Sequence, residues 1–577
     1  MIPLRELNAL STADFVAALA GIFEHSPWVP QRVAALRPFA SGIALYQAMC
    51  EAVMQAGAES QLALIRAHPE LAGRAAVRGN LTPASCAEQK GAGLSDCTRE
   101  QYERLQALND AYGRRFAFPF VLAVKGHTPA SVIAMLEQRV THAADAERGV
   151  ALNEICRIAR FRIADLIEES IGEAITAMAE DLARFTETPG MLTCSYLTPA
   201  HLAAAAQIRD YMLAAGLETR VDAVGNVIGI LAGAASPKRL LTGSHYDTVI
   251  NAGKFDGRLG ILLPIAVAGA LRRAGLQLPF TLEIIAFAEE EGVRFKSTFL
   301  GSRAVAGRFD PLALESIDAQ GISLRDAIRS AGRDPESIAA IARDPREVLS
   351  FVEVHIEQGP VLLEAGDAVG VVTAIAGSIR SIVVVEGLSG HAGTVPMALR
   401  RDAAAAAAEM VLAVERRCGS EPGLVGTVGT LQVADGAINV IPGRCEFSID
   451  IRSGQDAVRD LAAADVFSEI DSIAARRAVR VERRKVLEAA SVPCAAALQE
   501  AWSASIRRVT GKAAKHLPSG AGHDAMMMAG ITEVGMLFVR CGNGGISHHP
   551  MESLSANDAE VAAQVFQDFL LNLRIGA

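Results

Sequence analysis

RLLTGSHYDTVINAGKFDGRLGILLPIAVAGALRR, residues 239–273, decides the architecture of most of the chain. RLLTGSH reads as a short buried strand, the turn around Asp256 is rich in glycine, and residues 259–274 read as a helix. His245 and Asp247 come at the C-terminal end of the strand, where open α/β sheets place their ligands. Further strands around residues 227–231 and 281–286, with a helix at 199–215, continue the alternation. Such alternation implies a mainly parallel sheet covered on both faces by helices.

Three later segments carry the same kind of chemistry. Glu289, Glu290 and Glu291 end the strand LEIIAFA, His355 lies in VHIEQGP, and His548 in GISHHP. Together with His245 and Asp256 they offer three imidazoles and two carboxylates, a set that suits a pair of divalent ions bridged by a shared aspartate, with water as nucleophile. Hydrolysis is the chemistry expected. Asp247 is placed to orient the His245 imidazole from behind. Adjacent glutamates repel unless cations or a proton relieve them, so one can bind metal while its neighbour takes a proton from water. Singly, an isolated histidine is usually structural and a glutamate run usually a solvated face. The weight lies in their order and in their places at strand ends.

Outside this region, residues 4–169 read almost wholly as helix, the last helix appearing from sequence to run on through residue 185 without a Gly/Pro-rich linker. A second α/β unit begins near Ala376, where SIVVVEGLS and CEFSIDIRS read as strands flanking a helix at 401–416. The first pattern resumes near Val492 and contains His548, which must rejoin His245, so a domain inserted within a domain is expected. The fold class expected is multidomain: an all-α bundle (residues 1–170), an α/β metallohydrolase domain (171–375 and 492–577) and an inserted smaller α/β dimerisation or lid domain (376–491).

At 577 residues, two or three cores are expected. A formal charge of −10 without basic clusters argues against nucleic acid as a partner. The longest apolar stretch, residues 260–271, is interrupted by Pro264 and followed by Arg272 and Arg273, so no membrane span is expected. Nine cysteines without a CxxC pair read as reduced thiols. Neither the beginning, with Arg5, Glu6 and Asp14, nor the end, residues 574–577, reads as a targeting signal, so a cytoplasmic protein is the default expectation.

From about Gly172 onward these motifs resemble the dinuclear-metal amidohydrolases of the aminoacylase and carboxypeptidase type. The branch is that of allantoate amidohydrolase, ureidoglycolate amidohydrolase, β-ureidopropionase and N-carbamoyl-L-amino-acid hydrolase. The resemblance implies one metal on His245, Asp256 and His355, the other on Asp256, Glu291 and His548, and Glu290 as general base. The metals would be zinc or manganese, which such ligands suit alike. It further implies that His391 of GHAGTVPM reaches across a homodimer, formed through the inserted domain, to stabilise the oxyanion. Gln358, Asn439 and Arg452 match substrate-binding positions, Arg452 as a fork for a carboxylate. Ser519 and His523 of SGAGHDA match a pocket-lining stretch without a firm role. Thr193-Cys194, where many members read threonine-arginine, and His549, where asparagine is common, depart from the branch.

The helical segment has motifs of its own: RAHPELAG with His68 and Pro69, SCAEQKGAGL with Ser85, Glu88 and Gln89, FAFPFVLAVKG with Phe120 and Val124, and ICRIARFRI with Arg162. They resemble the cofactor-free 2-oxo-4-hydroxy-4-carboxy-5-ureidoimidazoline decarboxylases, which make (S)-allantoin. That likeness implies His68 and Glu88 as the catalytic pair, with Pro69, Ser85, Gln89, the Phe120–Val124 backbone and Arg162 holding a ureide substrate. Decarboxylation into a delocalising ring needs only orientation and a proton. His142 stands where this family often has asparagine. A bifunctional enzyme of ureide breakdown is therefore expected. The alternative is an N-carbamoyl-L-amino-acid or β-ureidopropionate hydrolase whose helical domain only assembles.

Overall fold

The strand Arg239–His245 is buried from Leu240 onward, because neighbours flank it on both sides and helices cover both faces. Thr281–Phe287 and Val348–Ile356 pair with it in parallel, and Val534–Val539 extends the sheet parallel to Val348–Ile356. In this computed structural model, which describes residues 1–72, 82–236, 238–434 and 436–574, the sheet has nine strands. Gly73, the end of RAHPELAG, and the terminal residues 575–577 lie outside the described residues.

The expectation of a mainly parallel sheet holds at its centre and fails toward its edges. Glu218–Val221 pairs antiparallel with Val227–Leu231, which pairs antiparallel with Thr281–Phe287; on the far side Val369–Ile375 runs antiparallel to Val534–Val539. Only residues 222–226 join the first of these pairs, enough for a hairpin and too few for a parallel crossover. The helix Leu259–Arg273 runs through Pro264 rather than stopping there. Its buried residues, among them Leu262, Leu263 and Val267, pack on the sheet and hold the helix despite the missing N–H.

The chain between residues 377 and 489 forms a separate five-stranded sheet, antiparallel throughout, with helices Ala403–Gly419 and Asp456–Arg477 packed on it. Arg444–Ser453 alternates strictly between buried and more exposed residues, as a strand with one covered face must. Its buried Cys445, Phe447, Ile449 and Ile451 meet Met410 and Ile470 in a core distinct from that of the large sheet.

The first part of the chain is helical around a third core that includes Phe15, Leu45, Tyr112 and Ile155. The expected continuous helix through residue 185 is not formed. Helix Ala144–Leu166 ends, Ile167–Glu168 pairs in parallel with Ile2–Pro3, and a new helix, Ile171–Leu182, begins. The reason was in the sequence: Ser170 and Glu173 form a capping box, which supplies partners to a new helix start. Buried Asp181 on the new helix accepts hydrogen bonds from Arg160 Nη2 (3.1 Å), Gln47 Nε2 (2.8 Å) and Tyr211 Oη (2.5 Å), joining helical unit to hydrolase unit. All nine cysteines are free. Among the described residues no helix is long and apolar enough to cross a membrane.

Candidate active sites

Four candidate site residues sit at or just beyond the C-terminal ends of neighbouring parallel strands. His245 closes Arg239–His245, Glu290 and Glu291 follow Thr281–Phe287, and His355 is the penultimate residue of Val348–Ile356. His548 comes from the loop beyond Val534–Val539. Asp256 reaches the same point from the turn before helix Leu259–Arg273. That turn must approach closely: Gly257 has φ +65°, and a Cβ there would lie 2.5 Å from the His245 ring.

Asp256 faces two groups of ligands with its two oxygens. Oδ1 is 3.3 Å from His355 Nε2 and 4.0 Å from His245 Nε2; Oδ2 is 3.0 Å from His548 Nε2, which is 3.6 Å from Glu291 Oε1. In each triad, His245–Asp256–His355 and Asp256–Glu291–His548, one ligand atom per residue lies within 4.8 Å of the others. Both buried imidazoles are turned by their outer nitrogen. His355 Nδ1 lies 2.8 Å from the Ile356 carbonyl and His245 Nδ1 3.2 Å from the Asp247 carbonyl, so each Nε2 points inward as an acceptor. Asp247 also accepts from the backbone N–H groups of Glu290 (3.0 Å) and Glu291 (3.1 Å), locking the glutamate pair to the histidine turn.

Burial pushes Glu290 well above the ordinary carboxylate range and Glu291 up to about 7, against the attraction of His245. Asp256 is held well below its usual value, because His355 and His548 outweigh the cost of burial. Acids and imidazoles crowded out of water, with nitrogen and oxygen atoms converging on two points, are a donor set that fits two divalent cations.

Other expected residues take less obvious places. Gln358 Nε2 donates to Asp256 Oδ1 (3.1 Å) and so lies at the metal triads. Arg452 spends its fork on Asp450 (Nη2 to Oδ2, 2.8 Å) and on the Gly520 carbonyl (2.6 Å), tying the inserted unit to the SGAGHDA loop. His391 and Asn439 are exposed on the inserted unit, around the short pairing of Gly390–His391 with Val440–Ile441. Among the described residues no hydrogen bond or ion pair links either side chain to the triads. His523, bonded to Ser519 Oγ (2.7 Å), stacks edge-on behind the His355 ring. Cys194 is buried and its backbone N–H bonds Thr248, while His549 receives the Met551 N–H. Glu552, which the sequence reading missed, accepts from the backbone of Phe255 (2.8 Å) and Asp256 (3.1 Å) and so fixes the bridging turn. Nothing local distinguishes it from a surface glutamate.

In the helical unit, His68, Ser85, Glu88 and Arg162 converge. Arg162 donates to both oxygens of Glu88 (2.7 and 2.9 Å), to Glu24 (2.9 Å), to Ser85 Oγ (3.2 Å) and to the Gly21 carbonyl (3.0 Å). Its guanidinium is thus largely occupied by protein acceptors. Glu24 was not expected; its one oxygen also accepts from Thr82 (2.8 Å) and Ser85. Burial opposes its charge, but Ser85 and Arg162 hold it below the usual range. A lone acid in the apolar run IFEHSPWV was the available signal, since such a residue needs a partner. His68 Nδ1 lies 3.0 Å from the Leu64 carbonyl, which leaves Nε2 as an acceptor, buried and without a partner among the described residues. Burial lowers its pKa to about 4, so it is neutral near pH 7. Pro69 opens the turn that follows, and Gln89 Oε1 holds that turn through the Ala72 N–H (3.0 Å). The irregular stretch with Phe120 and Val124 is pinned by Glu154 on the Ala123 N–H and Arg139 on the Val121 carbonyl (2.8 Å each). His142 bonds the buried Glu147 (2.7 Å), the same carboxylate that pairs with Arg139.

Comparison with known proteins assigns the two parts of the chain to families. Residues 8–164 match the model of the OHCU decarboxylase family, and residues 241–572 that of peptidase family M20/M25/M40. Allantoate deiminase 2 of Glycine max is 39% identical over 440 residues, covering 71% of this chain and 91% of that protein. N-carbamoyl-L-amino acid amidohydrolase of Geobacillus stearothermophilus is 41% identical over 370 residues, covering 64% and 90%. Among solved structures, AtUAH in complex with glyoxylate is 34% identical with a TM-score of 0.57, covering 70% of this chain and 98% of that one. A hydantoinase/carbamoylase family amidase from Burkholderia ambifaria is 32% identical with a TM-score of 0.64, covering 71% and 98%. The chain therefore belongs to peptidase family M20/M25/M40 and carries an OHCU decarboxylase domain at its N-terminus.

Proposed function

We propose that the chain is a bifunctional enzyme of purine breakdown. The helical unit decarboxylates 2-oxo-4-hydroxy-4-carboxy-5-ureidoimidazoline to (S)-allantoin, and the hydrolase unit converts allantoate to ureidoglycine, ammonia and carbon dioxide. The convergence of two ligand triads on the two oxygens of Asp256 carries the hydrolytic half. The decarboxylase domain on the same chain selects allantoate among the substrates of the branch, since allantoate lies one ring-opening beyond allantoin.

Two divalent ions, zinc or manganese, held by His245, Asp256 and His355 and by Asp256, Glu291 and His548, would polarise a ureido carbonyl and lower the pKa of water. Glu290, which neighbours His245 and Glu291 and belongs to neither Asp256 triad, takes the proton of the attacking water and delivers it to the departing nitrogen. Ammonia leaves, and the resulting carbamate loses carbon dioxide to free the amine. Arg452 and Asn439 bind the substrate carboxylate when the inserted unit closes, Arg452 exchanging Asp450 for substrate. His391 comes from a second copy. Val425, Leu431 and Val433 are exposed on the edge strands Leu424–Thr427 and Leu431–Val433 of the inserted sheet, apolar edge surface that suits dimerisation. Mixing His391→Ala with Glu290→Gln chains and allowing exchange is then expected to recover about a quarter of wild-type hydrolysis, because each mixed dimer rebuilds one site. Activity no higher than that of either variant alone would place His391 in its own chain's site.

In the helical unit, Nε2 of neutral His68 accepts the substrate hydroxyl proton as carbon dioxide leaves. The carbanion delocalises into the ring and is protonated on one face, while Ser85, Gln89 and the Phe120–Val124 backbone hold the ureide. No cofactor is needed. His68→Ala is expected to leave ureidoimidazoline decay at its spontaneous rate, followed by absorbance and by the optical purity of the allantoin. A wild-type rate would make the helical unit an assembly module.

The relative from Geobacillus stearothermophilus favours a second reading, hydrolysis of N-carbamoyl-L-amino acids. Turnover of allantoate against N-carbamoyl-L-alanine separates the two. We expect kcat/KM for allantoate to be higher by about ten-thousandfold, the scale set when a buried polar subsite is left unfilled; preference for the carbamoyl amino acid ends the allantoate assignment.

A further inference from the structure

The stretch Phe120–Val124, against which the ureide is proposed to rest, is irregular and buried. Arg139, which pins one of its carbonyls, belongs to the helical unit, but the pin on its N–H leads out of that unit. Glu154 Oε2 accepts from the Ala123 N–H (2.8 Å), and both Glu154 oxygens lie 3.4 Å from Arg157 Nη1. Arg157 in turn donates from Nε (3.0 Å) and Nη2 (2.7 Å) to the two oxygens of Asp210. Asp210 lies on helix Pro199–Ala214 of the hydrolase unit and is only 8% exposed.

A planar fork bonded twice to one carboxylate is held in a single orientation. Arg157 therefore stays 3.4 Å from Glu154, beyond the roughly 2.7–2.9 Å of a close charge-assisted bond. Glu154 keeps its shorter bond to Ala123. Without Asp210 the guanidinium is free to close on Glu154 and draw it off the Ala123 N–H.

The same helix meets the end of the stretch. Leu213 is buried in the core of the helical unit, while Met212 and Ala215 beside it belong to the core of the large sheet. Gly126, at φ +83°, brings the chain so near that a Cβ there would lie 2.7 Å from Leu213 Cδ2. Lys125 Nζ reaches the Ala214 carbonyl (3.5 Å).

We infer, resting on the decarboxylase reading, that Asp210 of the hydrolase unit is a positioning residue of the decarboxylase: through Arg157 and Glu154 it sets the Phe120–Val124 backbone. His68 and Glu88 are anchored elsewhere, on the Leu64 carbonyl and on Arg162, so proton transfer itself does not run through Asp210.

Asp210→Ala in the full chain is expected to raise KM for the ureidoimidazoline about tenfold, the worth of one charge-assisted hydrogen bond. Because the stretch holds substrate and transition state alike, kcat should stay within about twofold. In an Arg157→Ala background the same change should add nothing, since the two residues act in series. Hydrogen exchange of the peptide spanning residues 120–126 should quicken about tenfold in Asp210→Ala, while helix Pro129–Arg139 keeps its wild-type rate. Circular dichroism verifies each fold, and Asp210→Asn, which keeps the shape and loses the charge, should show the same pattern if Asp210→Ala does not fold. A wild-type KM in a folded variant, a loss confined to kcat, or an equal rise in KM without Arg157 would each overturn the role of Asp210 alone. A wild type that leaves ureidoimidazoline decay at its spontaneous rate would overturn the decarboxylase reading and this role together.

Discussion

Glu290→Gln is expected to lower allantoate hydrolysis by about a thousandfold, within the range for losing a positioned proton carrier, while metal content by mass spectrometry and ureidoimidazoline decarboxylation stay at wild-type levels. The expectation turns on which of two adjacent glutamates does what. Both backbone N–H groups are fixed on Asp247, so the two side chains cannot exchange places without breaking that clamp. Glu291 lies in the triad with Asp256 and His548, whereas Glu290 shares a cluster only with His245 and Glu291. A ligand to neither Asp256-centred position can be made neutral without emptying them. Glutamine keeps the size and a hydrogen bond but cannot take a proton from water. Metal loss in this variant would move Glu290 into the ligand set and leave the general base unassigned.

Asp256→Asn should be the more damaging change to the centre itself. One amide oxygen cannot replace two anionic oxygens that face different triads at 3.3 and 3.0 Å. We expect at least one of the two ions to be lost and hydrolysis to fall below detection, with decarboxylation unaffected because the two sites share no residue. Chelation of the wild type should reproduce the same pattern, and readdition of zinc or manganese should restore hydrolysis there but not in the variant. If chelation also stops decarboxylation, the helical unit depends on metal and His68 chemistry alone does not describe it.

Much of the hydrolase fold was open to reading because burial on both faces leaves a local trace: continuous apolar strands such as Thr281–Phe287, ending where ligands are needed. The inserted unit followed from a requirement of convergence, since His548 had to return to His245 across a segment with its own strands. The antiparallel sheet edges and the break at Ile167–Glu168 depended on pairing between distant segments, although the Ser170 to Glu173 box marked the helix start. Arg162 and Arg452, read as open forks for substrate, turned out to hold Glu24 and Glu88 in one case and Asp450 in the other.

The amino-acid sequence by itself pointed to five candidate ligands and a three-part layout of the chain, because residue type and hydrophobic period act over a few neighbours, and its motifs carried the resemblance to two enzyme families. Tertiary structure alone decided that Asp256 divides its oxygens between two triads and that Glu24 and Glu552 support the two sites. Those outcomes depend on ångström-scale meetings of side chains far apart in the chain, which no local pattern encodes.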